Sequence, residues 1–243
     1  MKRFLSILLT AVLAFSLAAC GNNSTAQTET TSQENSEETT SAPVSEPSED
    51  TEQTETASEP QSGSETSSNG SSTLVAYFSL AGEQYQVGVV EEGNTSIIAH
   101  MIAEQTGADL FEIEPVTPYP ETYDGLLEIS QQESADNARP EIAGIVENMD
   151  GYDTVFIGYP IWWGDMPAIV YNFLESYDLS GKTIVPFCTH GGSGLSGTES
   201  TIAEITGGTM IDGLAISGET AQNDRETSSN QVTEWLREGG FIA

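Results

Sequence analysis

Three short segments of this chain carry residue types better suited to holding a ligand than to packing. They are Ser79 with Gly93-Asn94-Thr95-Ser96, then Pro160-Ile161-Trp162-Trp163-Gly164, then Thr189-His190-Gly191-Gly192-Ser193-Gly194. Gly, Asn, Thr and Ser where a helical pattern begins offer backbone N–H groups and hydroxyls to an anion, and the helix dipole adds to the attraction. A phosphate can be held this way without a basic residue, and none is near in sequence. The same residues also serve as ordinary helix caps, with Asn94 or Thr95 in that role. Trp162 and Trp163 lie just beyond an apolar run, where two large rings either face a flat aromatic ligand or cap the core. Pro160 and Gly164 shape their turn, and Pro167 suits the first position of the next helix. In the third segment, the glycines let backbone approach a ligand edge closely. His190 either donates a hydrogen bond there or faces solvent. Cys188, inside the preceding apolar run, reads as a small core residue and not as a nucleophile.

These segments are positioned by a regular alternation. Strand-like runs cover Leu74–Ser79, Asp109–Ile113, Thr154–Gly158, Thr183–Cys188 and roughly Ile211–Ile216. Helical patterns cover Ser96–Gln105, Glu121–Asn137, Ala168–Tyr177, Ser196–Ile205 and Ser229–Glu238. Alternating strands and helices predict an α/β fold, a doubly wound five-stranded parallel sheet with helices on both faces. In such a sheet ligands sit at the carboxyl ends of the strands, which is where all three segments fall. Val116–Asp150 is long, holds several turn signals, and reads as an excursion beyond the minimal fold. A G-x-G-x-x-G fingerprint is absent after the first run, which argues against NAD or FAD as the resident ligand.

The stretches YFSLAG…GNTSIIAHMIAE, GYPIWWGDMPAIVYNFLE and GKTIVPFCTHGGSG resemble the flavodoxin-like family, in its branch with a longer first loop, over nearly all of Leu74 to Ile216. The resemblance implies strand order 2-1-3-4-5 and FMN at the strand ends. It assigns Ser79 and Gly93–Ser96 to the phosphate. Pro160–Gly164 then line the ribityl chain and one ring face, and Thr189–Gly194 border the pyrimidine edge. The stretch between Ser79 and Gly93 interrupts the phosphate loop, so its Glu83, Glu91 and Glu92 are expected to point away. The function implied is an FMN-dependent redox protein, either an electron carrier or a reductase of quinone-type acceptors. Neither the redox donor nor the acceptor is identified, and no catalytic residue is singled out. A non-catalytic lipoprotein that captures a small aromatic or phosphorylated solute is the alternative.

The N-terminus bears on location. Lys2 and Arg3 precede an apolar stretch, Phe4 to Ala19, that is too short for a spanning helix and resembles an export signal. Leu17-Ala18-Ala19-Cys20 resembles a bacterial lipobox, so residues 1–19 are read as a lipoprotein signal and Cys20 as the lipidated anchor on the extracytoplasmic face of a membrane. An ordinary secretory signal is the alternative. Residues 20–72 carry no Lys, Arg or aromatic residue and read as a disordered acidic tether. Its root-mean-square span is roughly 40 Å from chain statistics. Residues 73–243 are long enough for one domain with a good core. The formal net charge is −32, with no Lys or Arg between Arg3 and Arg139, which excludes nucleic acid as a partner class. No Cys/His grouping suits zinc.

Overall fold

Val75, Ala76, Val155, Phe156, Ile157, Ile184 and Val185 are all fully buried, whichever face of their strand they occupy. That is the fate of a continuously apolar strand when helices cover both sides of its sheet. The computed structural model describes residues 73–243. The signal, the anchor at Cys20 and the tether lie outside the described residues.

In chain order the elements are β1 (Thr73–Tyr77), β2 (Gly82–Gln84), β3 (Gly88–Val90), α1 (Asn94–Thr106), β4 (Asp109–Glu112), β5 (Glu114–Pro115), α2 (Tyr123–Asp136), β6 (Ile142–Ala143), β7 (Thr154–Pro160), α3 (Ala168–Glu175), β8 (Thr183–His190), α4 (Thr198–Thr206), β9 (Thr209–Met210), β10 (Leu214–Ser217), α5 (Gly218–Asn223) and α6 (Arg225–Glu238). The central sheet runs β4-β1-β7-β8-β10, all parallel, with β9 also paired to β8. Numbering its five strand positions along the chain gives the order 2-1-3-4-5 and an α/β fold. β2–β3 and β5–β6 are two small antiparallel pairs outside that sheet.

One sheet face is covered by α1 and α6, through Ile97, Ile98, Ile102, Val232, Trp235 and Leu236. The other is covered by α3 and α4, through Ile169, Val170, Phe173 and Ile202. Among the described residues no helix is long and apolar enough to cross a membrane.

Two sequence expectations are corrected. The fifth strand is not one run over Ile211–Ile216 but two pieces, β9 and β10. The Ile184 carbonyl accepts from Ile211 N–H, so β8 presents Ile184 to the fifth strand. By alternation Pro186 faces the same way, and it has no N–H to donate. Pairing resumes at Phe187, opposite Leu214. The second correction concerns Val116–Asp150. The helix expected at Glu121–Asn137 is α2, and it is the crossover helix between β4 and β7, not part of an excursion. Its buried residues are only Leu126 and Ser130, so its apolar face is faint in sequence. α2 packs beside β2 and α3.

Candidate functional site

α1 begins without a side-chain cap of its own. Gly93 is the N-cap in extended backbone, and neither Asn94 nor Thr95 caps the helix. The cap comes from β1's end, where Ser79 Oγ accepts from Ser96 N–H at 3.0 Å. Gly93 lies so close to that strand that a side chain there would collide with Ser79 Oγ and the Leu80 carbonyl. Among the described residues, no protein group accepts from the backbone N–H of Asn94 or Thr95. Two adjacent amides at a helix N-terminus therefore remain for an anion. Asn94 Oδ1 is buried without a hydrogen-bond partner, an expensive state that a ligand donor would relieve. Thr95 Oγ1 lies 2.8 Å from Thr189 Oγ1 and ties the start of α1 to the end of β8. Ser96 departs from the sequence expectation. Its N–H is taken by Ser79, and its hydroxyl turns to Glu92 and His100, each at 3.3 Å.

Two of the three acidic residues of the insertion have local partners. Glu92 meets Arg225 at 3.4 Å on the α6 side of α1. Glu83 does line the cleft, but its carboxylate accepts from Tyr123 N–H at 3.0 Å, at the positive end of α2.

The two tryptophans have different jobs. Trp162 packs edge-on against Phe78 and Tyr119, with ring centroids 5.4 and 5.5 Å away. Its backbone exchanges both hydrogen bonds with Asp165. Trp163 is 58% exposed. It holds a left-handed φ of 55°, rare for a bulky residue. Its indole N–H donates to Ser130 Oγ at 3.1 Å, which fixes the ring against α2.

At the end of β8, His190 Nδ1 accepts from Gly192 N–H at 2.8 Å, so the ring proton is assigned to Nε2. Burial holds the His190 pKa below its ordinary value. Gly192 and Gly194 carry φ of 123° and 63°, which bend the loop back. Burial pushes the Cys188 thiol up to about 12, and the group is buried, so it has the character of a packed thiol and not of a nucleophile.

These loops meet at one cleft of about 310 Å³, within the ordinary range for small-molecule sites. Of the residues singled out in the sequence, Asn94, Pro160, Ile161, Trp162, Trp163, Gly164, Thr189, His190, Gly191 and Ser193 line it. Ser79 and Thr95 line a recess beside it. Gly93, Ser96, Gly192 and Gly194 shape the loops without lining the cleft. The sequence reading missed Gln84, Tyr85, Tyr123, Leu126, Leu127, Ser130 and Gly218, which line the same cleft. Tyr85 and Tyr123 were the available signal, since each is a tyrosine in an otherwise polar, turn-rich stretch.

The described cations are all committed elsewhere: Arg139 to Glu175, Arg225 to Glu92, Lys182 to the Tyr152 carbonyl and Arg237 to the Ala243 carbonyl. No described group of His, Cys, Asp or Glu is arranged to hold a metal ion.

The family model for Flavodoxin matches residues 72–238. Among solved structures, a candidate flavoprotein from Bacteroides eggerthii DSM 20697 is 32% identical, with 70% of this chain and 98% of that one covered and a TM-score of 0.55. Another from Bacteroides uniformis ATCC 8492 is 30% identical, covering 68% and 99%, with a TM-score of 0.54. A flavoprotein in complex with FMN from Lactobacillus acidophilus NCFM shares the fold at 21% identity, covering 68% and 99%, with a TM-score of 0.50. No curated protein matches the chain. With the family model covering the whole sheet and its helices, the chain belongs to the flavodoxin family.

Proposed function

We propose that the domain binds FMN noncovalently in the strand-end cleft and works as a redox protein, by electron transfer or by reduction of a quinone-type acceptor. The observation that carries this reading is the start of α1. Two unclaimed amides, a buried unpartnered Asn94 Oδ1 and a glycine held against Ser79 adjoin the cleft lined by Trp163. The residues fit the group. The amides of Asn94 and Thr95 suit a phosphate, Asn94 Oδ1 suits a ribityl hydroxyl, and Trp163 offers a flat surface to a ring. His190 Nε2–H can donate to a carbonyl at the ring edge. Bound there, FMN supplies electron or hydride transfer at its ring. The chain's own contribution is to seat the phosphate without a cation, orient the ring and exclude water from part of it. The relative holding FMN has the same fold.

Calorimetry on the full chain tests the reading. FMN should bind one per chain and more tightly than riboflavin. Equal affinities would remove the phosphate assignment, and absence of binding would overturn the flavin reading. The domain is further proposed to sit outside a bacterial membrane, held by lipid on Cys20 through residues 20–72. Cys20→Ser should abolish incorporation of labelled fatty acid and release the protein from the membrane fraction. Retention of both would refute the anchor.

A further inference from the structure

We infer that the β2–β3 hairpin is a clamp over the flavin and that Tyr85, in its turn, is the residue it lays against the ring. This rests on the flavin reading above.

Tyr85 is 55% exposed, and in the same cleft Trp163 is 58% exposed. They are the two exposed aromatic side chains among the described residues, and both face one cleft, where they offer apolar ring surface to a flat ligand. Tyr85 is also placed to span the mouth. Its ring stacks on Tyr123 of α2, with centroids 5.8 Å apart and 22° between planes. The ring also lies close to Gly191, where a side-chain carbon would stand 2.6 Å from Tyr85 Cδ1. The hairpin thus reaches from α2 to the loop after β8.

The hairpin also closes the phosphate seat. The recess that adjoins Asn94 and Thr95 has a volume of about 10 Å³, and Leu80 and Gln84 of the β1–β2 segment form part of its wall. That is room for about one water molecule, so a phosphate there needs part of the wall to shift, and the clamp makes this segment the part that moves. Its ties suit such a motion. Glu83 N–H donates to the Glu121 carbonyl at 2.9 Å, and Glu83 Oε2 accepts from Tyr123 N–H at 3.0 Å. Gly82 and Gly88, on either side of the turn, hold φ of 92° and 95°, a region open to glycine. Breaking the Glu83 ties lifts the hairpin, and remaking them seats Tyr85 over the ring.

Stopped-flow release of FMN from the full-length protein, read by recovery of flavin fluorescence, tests the clamp. Tyr85→Phe keeps the stacking surface and should release FMN at the wild-type rate. Tyr85→Leu and Tyr85→Ala should release it roughly three- to tenfold faster, the range that one aromatic stack supplies. The same factor is expected for riboflavin, because the ring alone is touched. Glu83→Ala removes the side-chain tie and keeps the backbone one, so it loosens the hairpin, and association and dissociation of FMN should both accelerate while affinity changes little. Wild-type rates in the Leu and Ala variants, with bound-flavin fluorescence unchanged, would overturn the clamp alone. Failure of the wild type to bind FMN would overturn the flavin reading and this one with it.

Discussion

Trp163 combines a left-handed backbone, an exposed ring and an indole bond to Ser130, whereas Trp162 is wedged between Phe78 and Tyr119. Strain held at an exposed aromatic is a cost that packing does not explain. The pair should therefore separate on substitution. Trp163→Ala is expected to weaken FMN by about 1 kcal/mol or more and to shift the flavin's potential, with little loss of stability. Trp162→Ala should cost roughly 3 kcal/mol of stability, as removal of a packed indole does. Calorimetry and urea denaturation read the two effects, and equal behaviour of the variants would refute the division. His190 is a second divided case. Burial lowers its folded pKa, so between that value and the unfolded value of about 6.5 the unfolded chain binds more protons. Stability therefore rises with pH across that window. The deficit is full below the folded pKa and gone above about 6.5. Protonation also removes Nδ1 as acceptor for Gly192. His190→Asn keeps a side-chain acceptor and removes the titration. Its urea midpoint should lose the part of the pH dependence that the wild type shows below neutrality, and an identical pH profile would sink the assignment.

At the scale of elements, the join between β1 and α1 is where fold and site depend on one another. Ser79 caps α1 through Ser96, and Gly93 makes the close approach possible. Gly93→Ala is expected to destabilise the domain by roughly 1–3 kcal/mol through overpacking against backbone and to weaken FMN in the same protein. Ser79→Ala should cost about 1 kcal/mol, the usual worth of a cap. If Gly93→Ala left both stability and affinity intact, the join would be looser than its geometry. The residues of this join stood out in sequence, because Ser79 ends an apolar run and GNTS opens a helical one, but the cap did not: Asn94 or Thr95 was expected there, and Ser79 supplies it. The central strands were legible for the same reason: their apolar runs need no partner to be recognised. The rest was hidden by physics that acts across the chain. The fifth strand is split by Pro186, a residue of its neighbour. α2 was read as a helix, but it buries too few residues to show that it belongs to the minimal fold. Strands of three residues in β2 and β3 are too short for alternation to register. Tyr85 and Tyr123 lie 38 positions apart in a chain that gives no local hint of their stacking.

Across the whole molecule the dominant quantity is charge. The chain carries a formal −32, and each cation of the described domain is engaged away from the cleft. A phosphate monoester bears about −1.5 to −2 at neutral pH. Its approach to this protein is therefore uphill until the short-range amides of α1 engage it. Screening changes the long-range part and leaves the short-range part nearly alone, because the Debye length falls from about 30 Å at 0.01 M salt to about 8 Å at 0.15 M. Association of FMN should consequently speed up as salt is added, the reverse of what a basic phosphate site shows, while dissociation stays nearly constant. Riboflavin, which has no phosphate, should associate at a rate that salt hardly changes. The same field acts on any redox partner, favouring a neutral molecule or a protein with a basic patch over a polyanion. Stopped-flow mixing with FMN and riboflavin over that salt range decides the matter. If FMN association slows with added salt while riboflavin does not, a positive charge reaches the cleft after all, and the cation-free phosphate seat at Asn94 and Thr95 is wrong.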